Sequence, residues 1–219
     1  NTSGNSNTAN GMRSLASNTT GSKNTASGHE AMFFNDSGEE NTATGYQALK
    51  QNTTGSLNTA SGTGALNFNT EGHSNSAFGS YALQLNSTGS FNTAVGINAL
   101  YDNNGDANTA LGNNALGQNE SGSNNTAIGN GAGFWTDGDY NITIGHQGVP
   151  GEDHAIRIGT VGTHDKTLLV GNVGIGTSTP DIPLEVNGAA TPTTVGPGKY
   201  FDSTTVGITD FAASGGIPI

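Results

Sequence analysis

The feature that most constrains this chain is a 17-residue repeat that occupies most of its length. An Asn-Thr-Ala-x-Gly unit recurs, and an Ala-Leu pair follows within most of the repeats. The first asparagine falls at Asn7, Asn24, Asn41, Asn58, Asn75, Asn92, Asn108 and Asn125, with a degenerate copy at Asn141. Successive starts lie 17 residues apart, except for two steps of 16 that end at Asn108 and Asn141. Such regularity predicts units that stack on one another.

The length and composition of the repeat predict its secondary structure. A pair of helices needs about 33 residues or more, and the abundant Asn, Thr, Ser and Gly disfavour helix. We therefore expect an all-β fold, a repetitive β-solenoid or intertwined β-helix rod, with two short extended segments per coil joined by polar corners. The two shorter repeats lose a residue in "DNNGDA" and "WTDGDY". A turn absorbs such a deletion without shifting the strand register.

The small apolar content of each repeat bears on the oligomeric state. A repeat supplies two alanines, one leucine and a variable position after the first alanine. One buried Leu contributes about 2–3 kcal/mol, whereas ordering one residue's backbone costs about 1–2 kcal/mol. We therefore predict a parallel homotrimer whose leucine rows close a shared axial core. The row comprises Leu49, Leu66, Leu83, Leu100 and Leu116.

The recurring first asparagine predicts a second source of stability. Stacked asparagine side chains hydrogen-bond along cross-β assemblies, so we expect a structural ladder that runs from coil to coil. Its members are Asn24, Asn41, Asn58, Asn75, Asn92, Asn108 and Asn125. A flat threonine surface that binds ice or a regular polymer is an alternative interpretation. It is less favoured, because the threonines follow a single row rather than paired Thr-x-Thr rows.

The motif NTAxGxxAL…NTTGS resembles the repeats of bacteriophage-type tail fibres and related bacterial surface fibre proteins. The segments 148–177 and 174–188, which include "VGIGTSTP" and "LEVNG", are similar to segments that follow the repeats in such fibres. The "NTAIG" and "NITIG" units are also similar to repeats in trimeric autotransporter adhesin heads. The resemblance implies parallel homotrimers, an extracellular, cell-surface or virion location, and a role in attachment. Such fibres often carry a C-terminal intramolecular chaperone of the endosialidase type, which residues 189–219 do not match.

Composition excludes several classes of partner. The 219 residues carry a net charge of −11 with only six Lys and Arg, so clustered cations for nucleic-acid binding are absent from the sequence. No apolar run approaches the roughly 20 residues of a spanning helix, and we predict no membrane insertion. Three segments are expected: 1–141 as the repeat array, 142–188 as a short-strand continuation of the rod, and 189–219 as a loop-rich cap or extended tail.

Two polar clusters could in principle bind metal. The first lies in "GEDHAIRIGTVGTHDK" and comprises Glu152, Asp153, His154, His164 and Asp165. The second, Asp102, Asn104 and Asp106, has the oxygen spacing that opens a calcium loop, but Asn113 stands where that loop needs Glu. Both clusters fall beside Gly-rich turns, where polar side chains meet water. We therefore predict no metal site and no cofactor.

An aromatic group lies in "GAGFWTDGDY", where Ala-Leu is replaced by Ala132-Gly133. Phe134, Trp135 and Tyr140 form a possible ligand surface, since aromatic rings beside Asp and Asn are typical of sugar binding. The favoured interpretation is that the rings fill the core space that the missing leucine leaves. The glycines of 129–133 lack the strand and helix of a nucleotide-binding loop.

Taken together, these patterns favour a structural, non-enzymatic shaft segment of a trimeric attachment fibre, with no catalytic residues. Its partners would be identical chains and an unknown cell-surface or glycan receptor. Two alternatives remain open at this stage. One is a self-assembling extracellular filament whose rods associate end to end, and the other is a repeat surface that binds ice or glycan.

Overall fold

The computed structural model describes residues 2–159 and, beyond them, the backbone of two short strands. The chain divides into two units, Asn1–Asp165 and Lys166–Ile219. In the second unit, β11 (Val173–Ile175) and β12 (Leu184–Val186) form a parallel pair. The predicted cap or tail at 189–219 lies outside the described residues, as do His164 and Asp165.

The first unit is a parallel β-solenoid, which confirms the predicted all-β repeat fold. Ten strands of three residues each pair in chain order to form a single sheet. They are β1 (Thr8–Asn10), β2 (Thr25–Ser27), β3 (Thr42–Thr44), β4 (Thr59–Ser61), β5 (Ser76–Phe78), β6 (Thr93–Val95), β7 (Thr109–Leu111), β8 (Thr126–Ile128), β9 (Ile142–Ile144) and β10 (Ile156–Ile158). Because β9 pairs with β8 and β10 with β9, the coils continue past residue 141 as far as β10.

Equivalent repeat positions face each other throughout the sheet. We number them from 1, the first asparagine, to 17. Thr42 pairs with Thr59 and Ala43 with Ala60, and the same register holds across both shortened repeats, where Thr93 pairs with Thr109 and Thr126 with Ile142. Each deletion therefore falls in a turn, as predicted, and leaves the strands aligned.

Each described repeat has one strand, not the two extended segments expected from the sequence. The Ala-Leu segment belongs to a run of turns in which Leu49, Leu66 and Leu83 adopt φ of 50°, 50° and 52°. This left-handed conformation costs about 1–2 kcal/mol in an L-residue. It directs the leucine N–H to the next coil, as in Leu49 N to Ala65 O at 2.9 Å and Leu66 N to Ala82 O at 3.0 Å. Hydrogen bonds between coils thus extend well beyond the strands.

The leucine row is buried inside the single chain. Leu49, Leu66, Leu83, Leu100 and Leu116 are each 0% exposed, and the alanines at positions 3 and 8 surround them. The expectation that leucines close an axial core between chains is therefore wrong. Each coil folds back on itself tightly enough for alanine to complete the core, so the leucines have no surface left for a partner.

The glycine of the Asn-Thr-Ala-x-Gly unit allows the coils to approach closely. At Gly45, φ is +134°, and an added Cβ would lie 2.6 Å from the carbonyl oxygen of Gly62. That distance is too short for any side chain, and the backbone conformation also favours glycine. The motif therefore places glycine where backbone meets backbone along the stack.

Candidate functional site

The position-1 asparagines from Asn24 to Asn125 are buried, and their side chains bond mainly to backbone groups rather than to neighbouring asparagine side chains. The Oδ1 of Asn41 accepts a hydrogen bond from Asn58 N at 2.9 Å, in the next coil. Its Nδ2 donates to Gly55 O at 2.8 Å, across the interior of its own coil. The pattern recurs along the array, so each of these buried amides satisfies groups in two directions.

A second asparagine row forms the side-chain ladder proper, and the sequence interpretation did not single it out. These position-12 asparagines are Asn18, Asn35, Asn52, Asn69, Asn86, Asn103 and Asn119, all buried. Asn69 Nδ2 donates to Asn52 Oδ1 at 2.9 Å and to Gly72 O at 2.9 Å. The recurring "N-x-x-G" spacing was the available signal, since it places the amide beside a glycine carbonyl three residues on.

The outer face of the sheet carries two parallel rows of side chains. Positions 2 and 4 flank the inward alanine and both point outward, because side chains alternate along a strand. In β2, β3 and β4 both rows bear hydroxyls, from Thr25 and Ser27 to Thr59 and Ser61. From β5 onward the position-4 row becomes apolar. This apolar strip comprises Phe78, Val95, Leu111, Ile128, Ile144 and Ile158, with exposures between 36% and 49%.

The structure separates the three predicted aromatic residues. Phe134 and Trp135 lie edge to face, with ring centroids 4.7 Å apart, while Tyr140 stacks on His154 at 5.0 Å. The rings do not fill the space of the missing leucine, which corrects that expectation. A Cβ on Gly133 would lie 2.7 Å from Thr143 Oγ1 and 2.9 Å from Leu116 Cδ2. These neighbours already occupy the space, and Trp135 remains 49% exposed.

An open groove of about 390 Å³ lies beside the aromatic pair. Its lining comprises Asn114, Asn130, Gly131, Phe134, Trp135 and Gln147. The groove spans three successive coils, because position 7 is occupied by Asn114, Gly131 and Gln147 in turn. Its frame is fixed by hydrogen bonds between coils, including Gly131 N to Asn113 O at 2.8 Å and Trp135 N to Gln147 O at 2.9 Å.

The candidate metal clusters do not converge in the part of the chain that the structure describes. No group of three or more His, Asp or Glu side chains there could hold a metal ion. Asn104 Oδ1 accepts from Ser87 N at 2.9 Å, and Asp106 Oδ1 accepts from Ser90 N at 2.7 Å. These oxygens therefore serve as links to the preceding coil.

Two ion clusters perturb ionisable groups of the first unit, one at the partly exposed Glu152 and one at the largely buried Glu30. Arg157 donates two hydrogen bonds of 2.6 Å to Glu152, which lowers the pKa of the carboxyl and raises that of the guanidinium. Glu30 accepts from Lys50 at 2.9 Å, Gln47 at 2.9 Å and Arg13 at 3.2 Å. These bonds, led by that from Lys50, lower the pKa of Glu30 to about 2.

Comparison with known proteins adds no family assignment. No protein-family model matches the chain, and no curated protein sequence matches it. Among the described residues there is also no helix of the length and apolarity needed to cross a bilayer. The stacked coils, the two-row sheet face and the groove are therefore the features from which a function must be inferred.

Proposed function

We propose that this chain is a structural, non-enzymatic shaft segment of an extracellular attachment fibre. The observation that supports this proposal is the unbroken sheet of ten parallel strands in register, in which each coil is hydrogen-bonded to its neighbours. Such a stack resists bending and holds attached segments at a fixed spacing. The resemblance of the repeats to tail-fibre and adhesin sequences supports the attachment role and a cell-surface or virion location.

The same proposal includes a parallel homotrimer, now with a different contact surface. The leucine row is inside the chain, whereas the apolar strip is exposed over six successive coils. Exposed apolar patches of this extent are typical of protein–protein contact. Three parallel copies that packed through this strip would bury the same row on each chain and leave the hydroxyl-rich end of the face in water.

Native mass measured by light scattering during size exclusion tests the trimer. We expect three times the 22.0 kDa of the chain and a hydrodynamic radius larger than that of a sphere of that mass. Leu111→Asp combined with Ile128→Asp should release single chains, because each charge would be buried at the contact. Ser121→Asp, in the same coil as Leu111 but away from the strip, is the matched control. A wild-type mass of one chain over a wide concentration range would contradict the trimer.

A specific observation favours ice binding as a second candidate. At β2–β4 the two outward rows both carry hydroxyls, so the face is paired there, which the sequence interpretation did not anticipate. Strand geometry spaces these hydroxyls by about 4.8 Å between coils and about 6.6 Å along each strand. Thermal hysteresis that Thr42→Tyr and Thr59→Tyr abolish, and that exposed Thr54→Tyr leaves unchanged, would support this function. Absence of hysteresis in the wild type would exclude it.

A further inference from the structure

We infer that the groove beside Trp135 is a binding site for a neutral saccharide. This inference names a ligand class for the attachment role proposed above and rests on that role for its biological meaning. The binding event itself depends only on the groove, which one chain forms completely.

The groove exists because position 7 lacks a side chain at Gly131 and no neighbouring residue covers the gap. Position 7 bears a side chain in most coils, but a Cβ on Gly131 would meet no atom within 4 Å. Gly64 occupies the same position in another coil, and there Tyr81 of the next coil covers the gap, 2.8 Å from where a Cβ would lie. No residue covers Gly131 in this way. The space above it is therefore open to a ligand.

The walls of the groove offer the two kinds of contact that a sugar ring requires. Trp135 presents a large apolar surface that is half exposed, and Phe134 fixes its orientation by an edge-to-face contact at 4.7 Å, interplanar angle 89°. Asn114, Asn130 and Gln147 add amide groups, each with donors and an acceptor. Sugar hydroxyls also donate and accept, and the C–H face of a pyranose is apolar. An apolar wall with a few polar groups is typical of small-ligand sites.

Charge selects the neutral class of saccharide. None of the six lining residues carries a formal charge, and the chain as a whole has a net charge of −11. A sialic or uronic acid would find no cation in the lining and would be repelled by the surrounding field. Hexose and N-acetylhexosamine oligomers meet neither penalty.

Preorganisation favours binding at this site. The aromatic pair and the amides lie on consecutive coils joined by backbone hydrogen bonds, including Trp135 N to Gln147 O at 2.9 Å and Gly131 N to Asn113 O at 2.8 Å. A site held on such a frame loses little conformational freedom when the ligand arrives. The stiffness that suits a shaft thus also suits a shallow sugar site.

The chain supplies a matched control for the aromatic pair. Phe33 and Phe34 occupy the same two repeat positions as Phe134 and Trp135, and their rings also lie edge to face, 4.4 Å apart. Phe34 is 47% exposed, close to the exposure of Trp135. Its surroundings differ, however, because the Arg13 guanidinium lies 5.9 Å from the Phe33 ring centroid. Phe34→Ala therefore removes an equivalent exposed ring outside the groove.

Isothermal titration calorimetry on the full chain tests the inference. The probes are maltopentaose, cellopentaose and chitopentaose as neutral saccharides, and sialyllactose as the acidic one. We expect saturable binding of at least one neutral probe, with a change in the fluorescence of Trp135, which is the single Trp of the chain. Sialyllactose should bind at least tenfold more weakly.

Two variants alter different parts of the groove. Trp135→Ala removes the apolar wall, and Gly131→Gln fills the gap without touching the ring. Gln47 adopts φ of 56° at the same repeat position, so the backbone at Gly131, where φ is 64°, accepts glutamine. Each variant should weaken binding at least tenfold at an unchanged melting temperature, whereas Phe34→Ala should bind like the wild type.

Three results would overturn the inference. They are no binding of any neutral probe, preference for sialyllactose, and binding that survives both Trp135→Ala and Gly131→Gln. The native mass of the same samples keeps this test separate from the fibre proposal. A trimer without saccharide binding refutes the groove alone, while a single chain that binds saccharide refutes the trimer alone.

Discussion

The interior of each coil has two unlike halves. The apolar half contains the alanines at positions 3 and 8 and the leucine at position 9, while the amide half contains the asparagines at positions 1 and 12 around a glycine carbonyl. The apolar half is stabilised by the hydrophobic effect, which does not depend on the orientation of the contacts. The amide half has fixed partners above, below and across the coil, so it also sets the register. An apolar core of small residues is enough to stabilise each coil because the asparagine amides hydrogen-bond the polar groups that are buried beside it.

Loss of one amide from the second asparagine row should have the largest effect. Asn69 donates to Asn52 and Gly72, and its Oδ1 accepts from Asn86 Nδ2 at 2.9 Å. Asn69→Leu keeps the number of side-chain heavy atoms, although it is bulkier, and it leaves buried polar groups on both neighbours with fewer partners. At about 1–3 kcal/mol for each buried group left unsatisfied, we expect the free energy of unfolding to fall by about 4 kcal/mol, measured by urea denaturation.

The control for this variant is Asn113→Leu, at an exposed asparagine, which should change the free energy of unfolding by less than about 0.5 kcal/mol. If Asn69→Leu proved as stable as the wild type, the amide half would be replaceable by apolar packing. The proposed difference between the two halves would then be lost.

Truncation in the apolar half should have the next largest effect. Leu66 is fully buried among alanines, which cannot move far enough to fill a cavity. Leu66→Ala should therefore lower the free energy of unfolding by about 3 kcal/mol, within the usual range for buried leucines. Leu57→Ala, at a leucine that is 56% exposed, should cost much less. Equal losses at the two sites would show that Leu66 is not part of a packed interior.

The contrast between the two halves also explains which features of the fold could be predicted from the sequence. Spacing alone predicts the solenoid, its register and the turn deletions, because identical residues stack at identical positions. It does not predict that Leu49 adopts a positive φ, since that choice depends on hydrogen bonds to a coil 17 residues away. The predicted trimer core rested on the small apolar content of each repeat, and it was wrong because alanines of the same chain bury the leucines completely.

The candidate site was only partly predictable for a related reason. Trp135 and Phe134 stand out in a chain with one Trp, so sequence alone identifies the aromatic surface. The groove forms because Gly131 has no side chain. Gly64 has none either, but no groove opens there. Only the position of Tyr81 in the neighbouring coil distinguishes the two glycines. Spacing within one repeat contains no such information.

At the point where the position-12 asparagine ladder ends, one substitution should increase the stability of the protein. Position 12 changes from Asn119 to Thr136, and Asn119 Oδ1 and Thr136 Oγ1 are both buried without a hydrogen-bond partner. Thr136→Asn would supply an Nδ2 donor to Asn119 Oδ1. Asn103 already makes this bond in the other shortened repeat, at 3.2 Å to Asn86 Oδ1. We expect a gain of about 1 kcal/mol, measured by thermal unfolding.

Thr136→Val is the matched control for that gain, because it removes the unpaired hydroxyl without adding a donor. The asparagine variant should be more stable than the valine variant. If valine stabilised the protein as much, the benefit would come from removing a polar atom rather than from extending the ladder.

The smallest effect should come from the ion cluster around Glu30, because its cations Arg13 and Lys50 keep 62% and 24% side-chain exposure and water competes with their bonds. Glu30 is held by Lys50, Gln47 and Arg13, and its pKa is about 2, below the ordinary value of 4.5. The unfolded chain takes up a proton first as pH falls, so this stabilisation is complete above about pH 4.5 and is lost as pH falls towards 2. Glu30→Gln should therefore lower the melting temperature slightly at pH 7, and the difference from wild type should shrink in acid. Glu71→Gln, at an exposed glutamate, serves as the control. If the difference in melting temperature between Glu30→Gln and the wild type stayed constant from pH 7 to pH 2, the shape of Glu30 and not its charge would be stabilising.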